Sequence, residues 1–266
     1  MSIEASATFT VMEPETLGKL FLGELGPDMD FYIYSRHFNP TVLNLSRQLA
    51  ALEGTEAAIA SVLLQLCRHG ERIVASSHLY GGTFALLSHF LPRACGITTT
   101  FVDVFQPGAE EAIREAVASS PGARVLYLES ISNPTLCVAD IPRLSAAARE
   151  AAASGGAGPT VVVDNTFAPV LLSPAQLGAD VVVHSISKYI SGGADIIAGA
   201  VCGPAALIAS MMGLQQGALM LLGPTMNPNI AFSVSERIPH LALRMKEHCH
   251  RALTYAARLH NLGLRV

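Results

Sequence analysis

Charge, and lysine above all, is what this chain has least of. Asp, Glu, Lys and Arg make up 14% of its 266 residues, against roughly 25% in ordinary soluble domains. Lysine occurs three times, at Lys19, Lys188 and Lys246. The 17 Lys and Arg do not outweigh the 21 Asp and Glu, the net charge is -4, and no basic stripe runs along the chain. That argues against nucleic acid as a partner. Hydrophobic residues make up 50% and the mean hydropathy is +0.40, yet no apolar run reaches the 18 or so residues of a membrane span. The richest, GALMLLGP (217–224), is short and bounded by glycine and proline. A chain of this balance that stays out of the membrane is expected to hide surface in an oligomer.

The five cysteines are widely spaced and contain no Cys-x-x-Cys. This excludes a disulfide or zinc framework and predicts a reducing, cytoplasmic compartment. The opening MSIEASATFT lacks the basic segment and apolar core of a secretory signal. The segment EHCHR (247–251) gathers metal-ligand residue types. Neighbours on a helix point in different directions, so a solvated helical face is expected there and no metal site.

Short β-rich runs alternate with helical patterns, and there are no internal repeats. Strands are predicted at 72–76, 97–103, 124–130, 160–164, 180–185 and 198–203. Helices are predicted near 45–68, 81–91, 108–119, 140–153, 204–217 and 241–260, the first on the spacing of Leu45, Leu49 and Leu52. SGGAGP (154–159) is a helix-to-strand breaker. The alternation predicts an α/β fold with a mostly parallel sheet. Residues 1–44, which include the aromatic stretch GPDMDFYIYSRHFNPT, show no clear period and read as an extended arm that needs a surface to lie on. A large domain is expected over 45–240. Residues 241–266 read as the start of a truncated C-terminal domain.

Open α/β sheets bind ligands beyond the carboxyl ends of their strands. The residues there are Glu129 after VLYL, Asp164 after VVV, and Ser185 then Lys188 after VVVH. A single carboxylate and lysine would read as a structural ion pair. Three polar strand ends at one edge favour a site. An amine that forms a Schiff base, an acid for a pyridine nitrogen, hydroxyls for a phosphate and an aromatic cover together suit pyridoxal phosphate. Lys188, Asp164, the pair Ser185 and Ser187, and Tyr80 supply these four needs. In an apolar setting the lysine would also lose basicity by desolvation. Two other readings are weaker. SISK (185–188) matches Ser-x-x-Lys of serine acyl-transfer enzymes, but Ser-Asp-Asn and Lys-Thr-Gly are absent. No Gly-x-Gly-x-x-Gly follows a strand, which disfavours a nicotinamide enzyme.

The segments YSRHFNPT, LEGTEAA, SSHLYGGT, ESISNPT, VVVDNTFAPVLLSPAQLGADVVVHSISKYISGGADIIAGAVCG and GPTMNP resemble the Cys/Met-metabolism family of pyridoxal-phosphate enzymes over nearly the whole chain. The resemblance implies a fold-type I (aspartate aminotransferase-like) large domain. It also implies carbon–sulfur lyase chemistry on sulfur amino acids, with the wording closest to the methionine γ-lyases of the family. Cystathionine or O-acylhomoserine chemistry is the runner-up, and an inactive truncated subunit is the alternative of another class. By resemblance, Lys188 is the Schiff-base lysine and a proton carrier, Asp164 holds the pyridine nitrogen, and Ser185 and Ser187 bind phosphate. Asn133 lies near the ring hydroxyl with Glu129 close by. Tyr80 stacks on the ring and acts as acid toward the leaving thiol. Tyr34 and Arg36 reach the phosphate of a neighbouring subunit, which implies a dimer with shared sites and, as usual in the family, a homotetramer.

The chain departs from the family in three places. A Ser-Gly-Met-type loop, whose amides grip phosphate at a helix start, is missing after LEGTEAA. By the resemblance, an arginine for the substrate carboxylate comes from a C-terminal domain that these 266 residues are expected not to complete. Gly82 stands where some methionine γ-lyases have cysteine. Each lost charge-assisted hydrogen bond is worth roughly 1.5–3 kcal/mol, so weak cofactor binding and little lyase activity are expected of this chain alone.

Overall fold

The structure is a computed structural model that describes residues 2–52, 59–119, 122–152 and 158–266. Six strands form one sheet: β1 (Arg72–Ser76), β2 (Thr98–Val102), β3 (Ala123–Glu129), β4 (Thr160–Asp164), β5 (Val181–Ser185) and β6 (Gly199–Cys202). Their order across the sheet is β2-β1-β3-β4-β5-β6. β1 to β5 run parallel, and β6 closes one edge antiparallel to β5.

The strands are apolar along their length because both faces of the sheet are covered. Alternate residues enter opposite cores. Ile73, Val125, Tyr127, Val162, Val181 and Val183 pack on one face, against Leu63 and Leu66 of helix α3 and Leu87 and Leu91 beyond β1. Val74, Leu126, Leu128, Val161, Val163 and Val182 pack on the other, against helices that follow β2 and β3. The result is a three-layer α/β/α domain.

In chain order the helices are α1 (Pro14–Leu22), α2 (Pro40–Leu52), α3 (Ile59–Leu66), α4 (Gly81–Ala85), α5 (Leu91–Cys95), α6 (Ala109–Ala118), α7 (Ile141–Ala152), α8 (Ala205–Met211), α9 (Ala218–Leu222), α10 (Pro228–Arg237) and α11 (Leu241–Asn261). A wider helical turn over Leu86–Phe90 joins α4 to α5. Leu45 and Leu49 are buried, as their spacing predicts, and pack with Ile186, Ala231 and Val234 in a third cluster. The helix expected at 45–68 starts earlier, at Pro40, and its middle, 53–58, lies outside the described residues, as does most of the breaker at 154–159. The helix expected at 204–217 stops at Met211. At Gly217 a Cβ would come within 2.3 Å of the Met211 carbonyl oxygen, so the chain folds tightly before α9 begins.

The arm is not extended throughout. Pro14 at the first position of α1, Lys19 in its last turn and Gly23 in the left-handed conformation (φ 76°) are ordinary helix start and stop chemistry. Thr8 bridges Tyr34 in antiparallel fashion, Ser35 N–H donates to the Ala7 carbonyl at 2.8 Å, and Asn39 Nδ2 donates to the Glu4 carbonyl at 2.9 Å. The first residues thus fold back on those before α2. Met12, Phe21 and Leu22 remain exposed. So do Leu243, Leu253 and Tyr255 on α11, which buries Leu241 and Met245.

Among the described residues no helix is long and apolar enough to cross a membrane. No group of three or more His, Cys, Asp or Glu residues there could hold a metal.

Leu128 lies fully buried on a central strand, one residue before Glu129. Leu128→Ala should lower stability by about 2–5 kcal/mol, read from urea denaturation. A loss below about 0.5 kcal/mol, the range of a surface substitution, would show that this face of the sheet is not packed as described.

Candidate active site

The parallel strands end at one edge, and their register decides what meets there. Glu129 at the end of β3 pairs with Asp164 at the end of β4, and Asp164 pairs with Val183 in β5. By alternation Glu129, Asp164 and Ser185 fall on the sheet face that carries Tyr127, Val162 and Val183. A cleft of about 930 Å³ opens on that face. Seven of the nine residues singled out from the sequence line it: Tyr80, Glu129, Asn133, Asp164, Ser185, Ser187 and Lys188. Tyr34 and Arg36 do not. Arg36 lines a separate cavity of about 110 Å³ with His37 and Thr225, and its guanidinium lies 5.4 Å from the centre of the Tyr34 ring.

Glu129 ties two loops to the sheet. One carboxylate oxygen accepts the Tyr80 N–H at 2.7 Å and the other accepts the Asn133 N–H at 3.0 Å. Burial pushes its carboxyl up to about 7. The two N–H groups oppose that rise, and the charge of Asp164 adds to it. Residue types mark Glu129 as a polar strand end and the resemblance puts it near a ring hydroxyl; its backbone contacts cannot be read from either.

Asp164 faces the cleft. Burial raises its carboxyl as well, while Thr166 and the nearby His184 draw it back down. The Thr166 N–H donates to Asp164 Oδ1 at 2.9 Å. Beneath them lies the fully buried Tyr127, whose hydroxyl is close enough to Asp164 and Thr83 to couple with them but lies outside hydrogen-bond geometry.

Lys188 sits inside a wide helical turn, Ile186–Ile190, that leaves β5. Its own backbone breaks the helix (φ -100°, ψ -116°). Ile186 and Ile190 are buried in the third core cluster, and between them Lys188 is exposed to the cleft. The flanking isoleucines point into the core, while Leu86, Phe167, Ile197 and Ile230 give the cleft that Lys188 enters a partly apolar lining. Among the described residues its ammonium has no ion-pair partner. The Ser185 N–H donates to Thr166 Oγ1 at 2.7 Å. The Ser187 hydroxyl donates to the Ala198 carbonyl at 3.2 Å and accepts the Ala198 N–H at 2.9 Å. The Tyr80 ring is 53% exposed and folds over Gly82, where a Cβ would come within 2.7 Å of it.

Thr166 and His184 also line the cleft, and sequence reasoning passed over both. Each adjoins a residue it had chosen, in VVVDNT and VVVHS. Most of LEGTEAA lies outside the described residues, and so does the point at which a loop was expected to be missing. Ile59 and Ala60, the first described residues of α3, line the cleft. No arginine is among the described residues that line it.

An exposed amine, a half-buried acid and hydroxyls at one cleft fit an aldehyde that carries a ring nitrogen and a phosphate. Comparison with known proteins agrees. Residues 1–262 match the family described as Cys/Met metabolism PLP-dependent enzyme. The chain is 65% identical over its whole length to a methionine γ-lyase of Arabidopsis thaliana, and covers 60% of that protein. It is 39% identical to an L-methionine γ-lyase of Pseudomonas putida, with 94% of this chain and 61% of the relative covered. The chain thus spans about 60% of the length of these relatives. An O-acetylhomoserine (thiol)-lyase structure from Campylobacter jejuni, carrying N′-pyridoxyl-lysine-5′-monophosphate, shares the fold (TM-score 0.82, 24% identity, 98% of this chain and 70% of the other covered).

The raised carboxyl of Glu129 makes stability depend on pH. The folded state holds its proton up to about pH 7, whereas the unfolded chain releases it near 4.5. Stability is therefore full below about 4.5 and falls as pH rises toward 7. At about 1.4 kcal/mol per pKa unit the loss is on the order of 3 kcal/mol. Glu129→Gln should flatten most of this slope in denaturation curves taken across that window. An equal slope in wild type and variant would show that Glu129 does not titrate there.

Proposed function

The chain belongs to the Cys/Met metabolism PLP-dependent enzymes, and from that footing we propose that it carries the cofactor site of a carbon–sulfur lyase. The reading places methionine as substrate, with methanethiol, ammonia and 2-oxobutanoate as products. The observation that carries the proposal is the meeting of Lys188, Asp164 and the Ser185–Ser187 hydroxyls at one cleft. The identity with methionine γ-lyases supports the choice of substrate.

When bound, pyridoxal 5′-phosphate supplies an electron-withdrawing ring that stabilises negative charge at the substrate's α and β carbons. In this reading the Lys188 amine would hold the aldehyde and would carry protons at those carbons. Its position on a turn anchored by Ile186 and Ile190 gives a fixed root and a free tip. Asp164 holds the ring nitrogen in its protonated form. The Thr166 N–H fixes one carboxylate oxygen and leaves the other for that nitrogen. Ser185 donates its hydroxyl to the phosphate, and Ser187 does so by giving up its bond to the Ala198 carbonyl. Asn133 faces the ring hydroxyl from a loop held by Glu129. Tyr80, tied at its backbone by the same carboxylate, covers the ring face and gives its proton to the departing sulfur. Tyr34 and Arg36, standing outside their own subunit's cleft, complete the phosphate site of a second copy, so the working unit is a homo-oligomer.

Borohydride reduction of the chain mixed with pyridoxal phosphate, followed by peptide mapping, tests the assignment. The pyridoxyl label should appear on Lys188. Label on Lys19 or Lys246 with none on Lys188 would refute it. In a version of the chain with the phosphate loop and C-terminal domain restored, Asp164→Asn should keep the label in a reduced sample yet lower methanethiol release per bound cofactor in an unreduced one by about a hundredfold or more. Unchanged release would remove Asp164 from the chemistry.

A further inference from the structure

The turn that carries Lys188 ends in Gly192-Gly193, and the structure explains both glycines by what lies on them. Gly192 has a positive φ of 69°, and a Cβ there would sit 2.3 Å from Nη1 of Arg244. A Cβ on Gly193 would sit 2.5 Å from Oδ1 of Asp195 and 2.7 Å from Nη1 of Arg237, the two partners of one ion pair. Two guanidinium groups from α10 and α11, some fifty residues later, therefore rest on the glycines at the root of the cofactor turn.

Each guanidinium bonds to that turn. Arg244 donates through Nη1 to the Tyr189 carbonyl and through Nη2 to the Ile190 carbonyl at 2.8 Å. It also reaches back to the Arg237 carbonyl at 3.2 Å and to His240 Nδ1 at 3.0 Å. Among the described residues it has no carboxylate partner. Burial and the charge of Arg237 both work against its charge, so its place is maintained by the carbonyls that end the turn, where a cation is favoured. Arg237 makes a bidentate pair with Asp195 at 2.6 and 2.7 Å and reaches the Ser191 carbonyl at 3.4 Å. Inside the turn, the Ser191 N–H donates to the Ile186 carbonyl at 2.9 Å and the Gly192 N–H to the Lys188 carbonyl at 2.8 Å. The lysine backbone, which lies outside helical geometry, is thus fixed from the far side of the turn.

We propose that Arg244 is the positioning residue for Lys188: laid on Gly192, it ties the carbonyls of Tyr189 and Ile190 to α11 and so sets the root from which Lys188 enters the cleft. Arg237, through Asp195, is the second tie. The proposal rests on Lys188 being the cofactor lysine. It gives α11 a task at the site although none of its residues lines the cleft.

The three lysines of the chain allow a direct test. Wild type, Arg244→Ala and Arg244→Lys are mixed with pyridoxal phosphate, reduced and mapped, and label on Lys188 is read against label on Lys19. In parallel, hydrogen exchange at the Ser191 and Gly192 amides is followed without cofactor. Arg244→Ala should lower the Lys188:Lys19 ratio about tenfold or more and speed exchange at both amides. Added methylguanidinium should restore both. Arg244→Lys should recover only part of either, since an ammonium cannot serve two carbonyls in one plane. If Arg244→Ala does not fold, Arg244→Lys carries the comparison. An unchanged ratio together with unchanged exchange in a folded variant would overturn the proposal. If wild type itself fails to label Lys188, the cofactor assignment falls, and the amide exchange still decides whether Arg244 holds the turn.

Discussion

Asp164 pairs with Glu129 on one side and with Val183 on the other, and the chemistry of the cleft depends on that register. Side chains alternate along a strand, so a slip of one residue would turn the Asp164 carboxyl to the opposite face of the sheet. It would then meet the core formed by Leu126, Leu128 and Val163. In the observed register two carboxyls lie side by side at the edge of an apolar face. Burial raises Glu129, and the nearby charge of Asp164 adds a smaller push. The strain of keeping it there is offset by two backbone N–H groups, and these place the loops of Tyr80 and Asn133. The same register sends the chain from β5 straight past Asp164 into the turn of Lys188.

The turn has its own support. Ile186 and Ile190 flank the lysine and are buried with Leu45 and Leu49 of α2, Val234 of α10 and Met245 of α11. Helices that lie far from the sheet in sequence thus surround the root of one exposed amine. The lysine can stand in open solvent on a broken helical turn because its two neighbours are locked in place. Ala198, bonded to Ser187 in both directions, steadies the near side. The arginines over Gly192 and Gly193 steady the far side.

Much of this was legible in the sequence. The six strands announce themselves as short β-branched runs because a parallel sheet is buried on both faces, and their polar end residues stand out against that background. A lysine in a chain with three of them drew attention for the same reason. What escaped has physical causes. The helix α1, ahead of the aromatic stretch in a segment read as extended, escaped although its proline start and glycine stop were there to read. The helix α10 shows too little amphipathic pattern between Asn227, which caps it, and Arg237. Thr166 and His184 are ordinary residues that matter only through what lies across from them. Nothing local to Gly192 and Gly193 says that arginines from distant helices would rest upon them. Alternation of core and cleft within its turn leaves Lys188 exposed in a cleft with apolar walls.

The role given to Asp164 can be examined at a single atom. The 15N spectrum of the protein loaded with ring-labelled pyridoxal phosphate reports whether the ring nitrogen carries a proton. A protonated nitrogen in wild type, lost in Asp164→Asn, is the expected result. A ring nitrogen that is unprotonated in wild type, or equally protonated in both, would contradict the view that the register of β4 exists to bring a carboxylate to that atom.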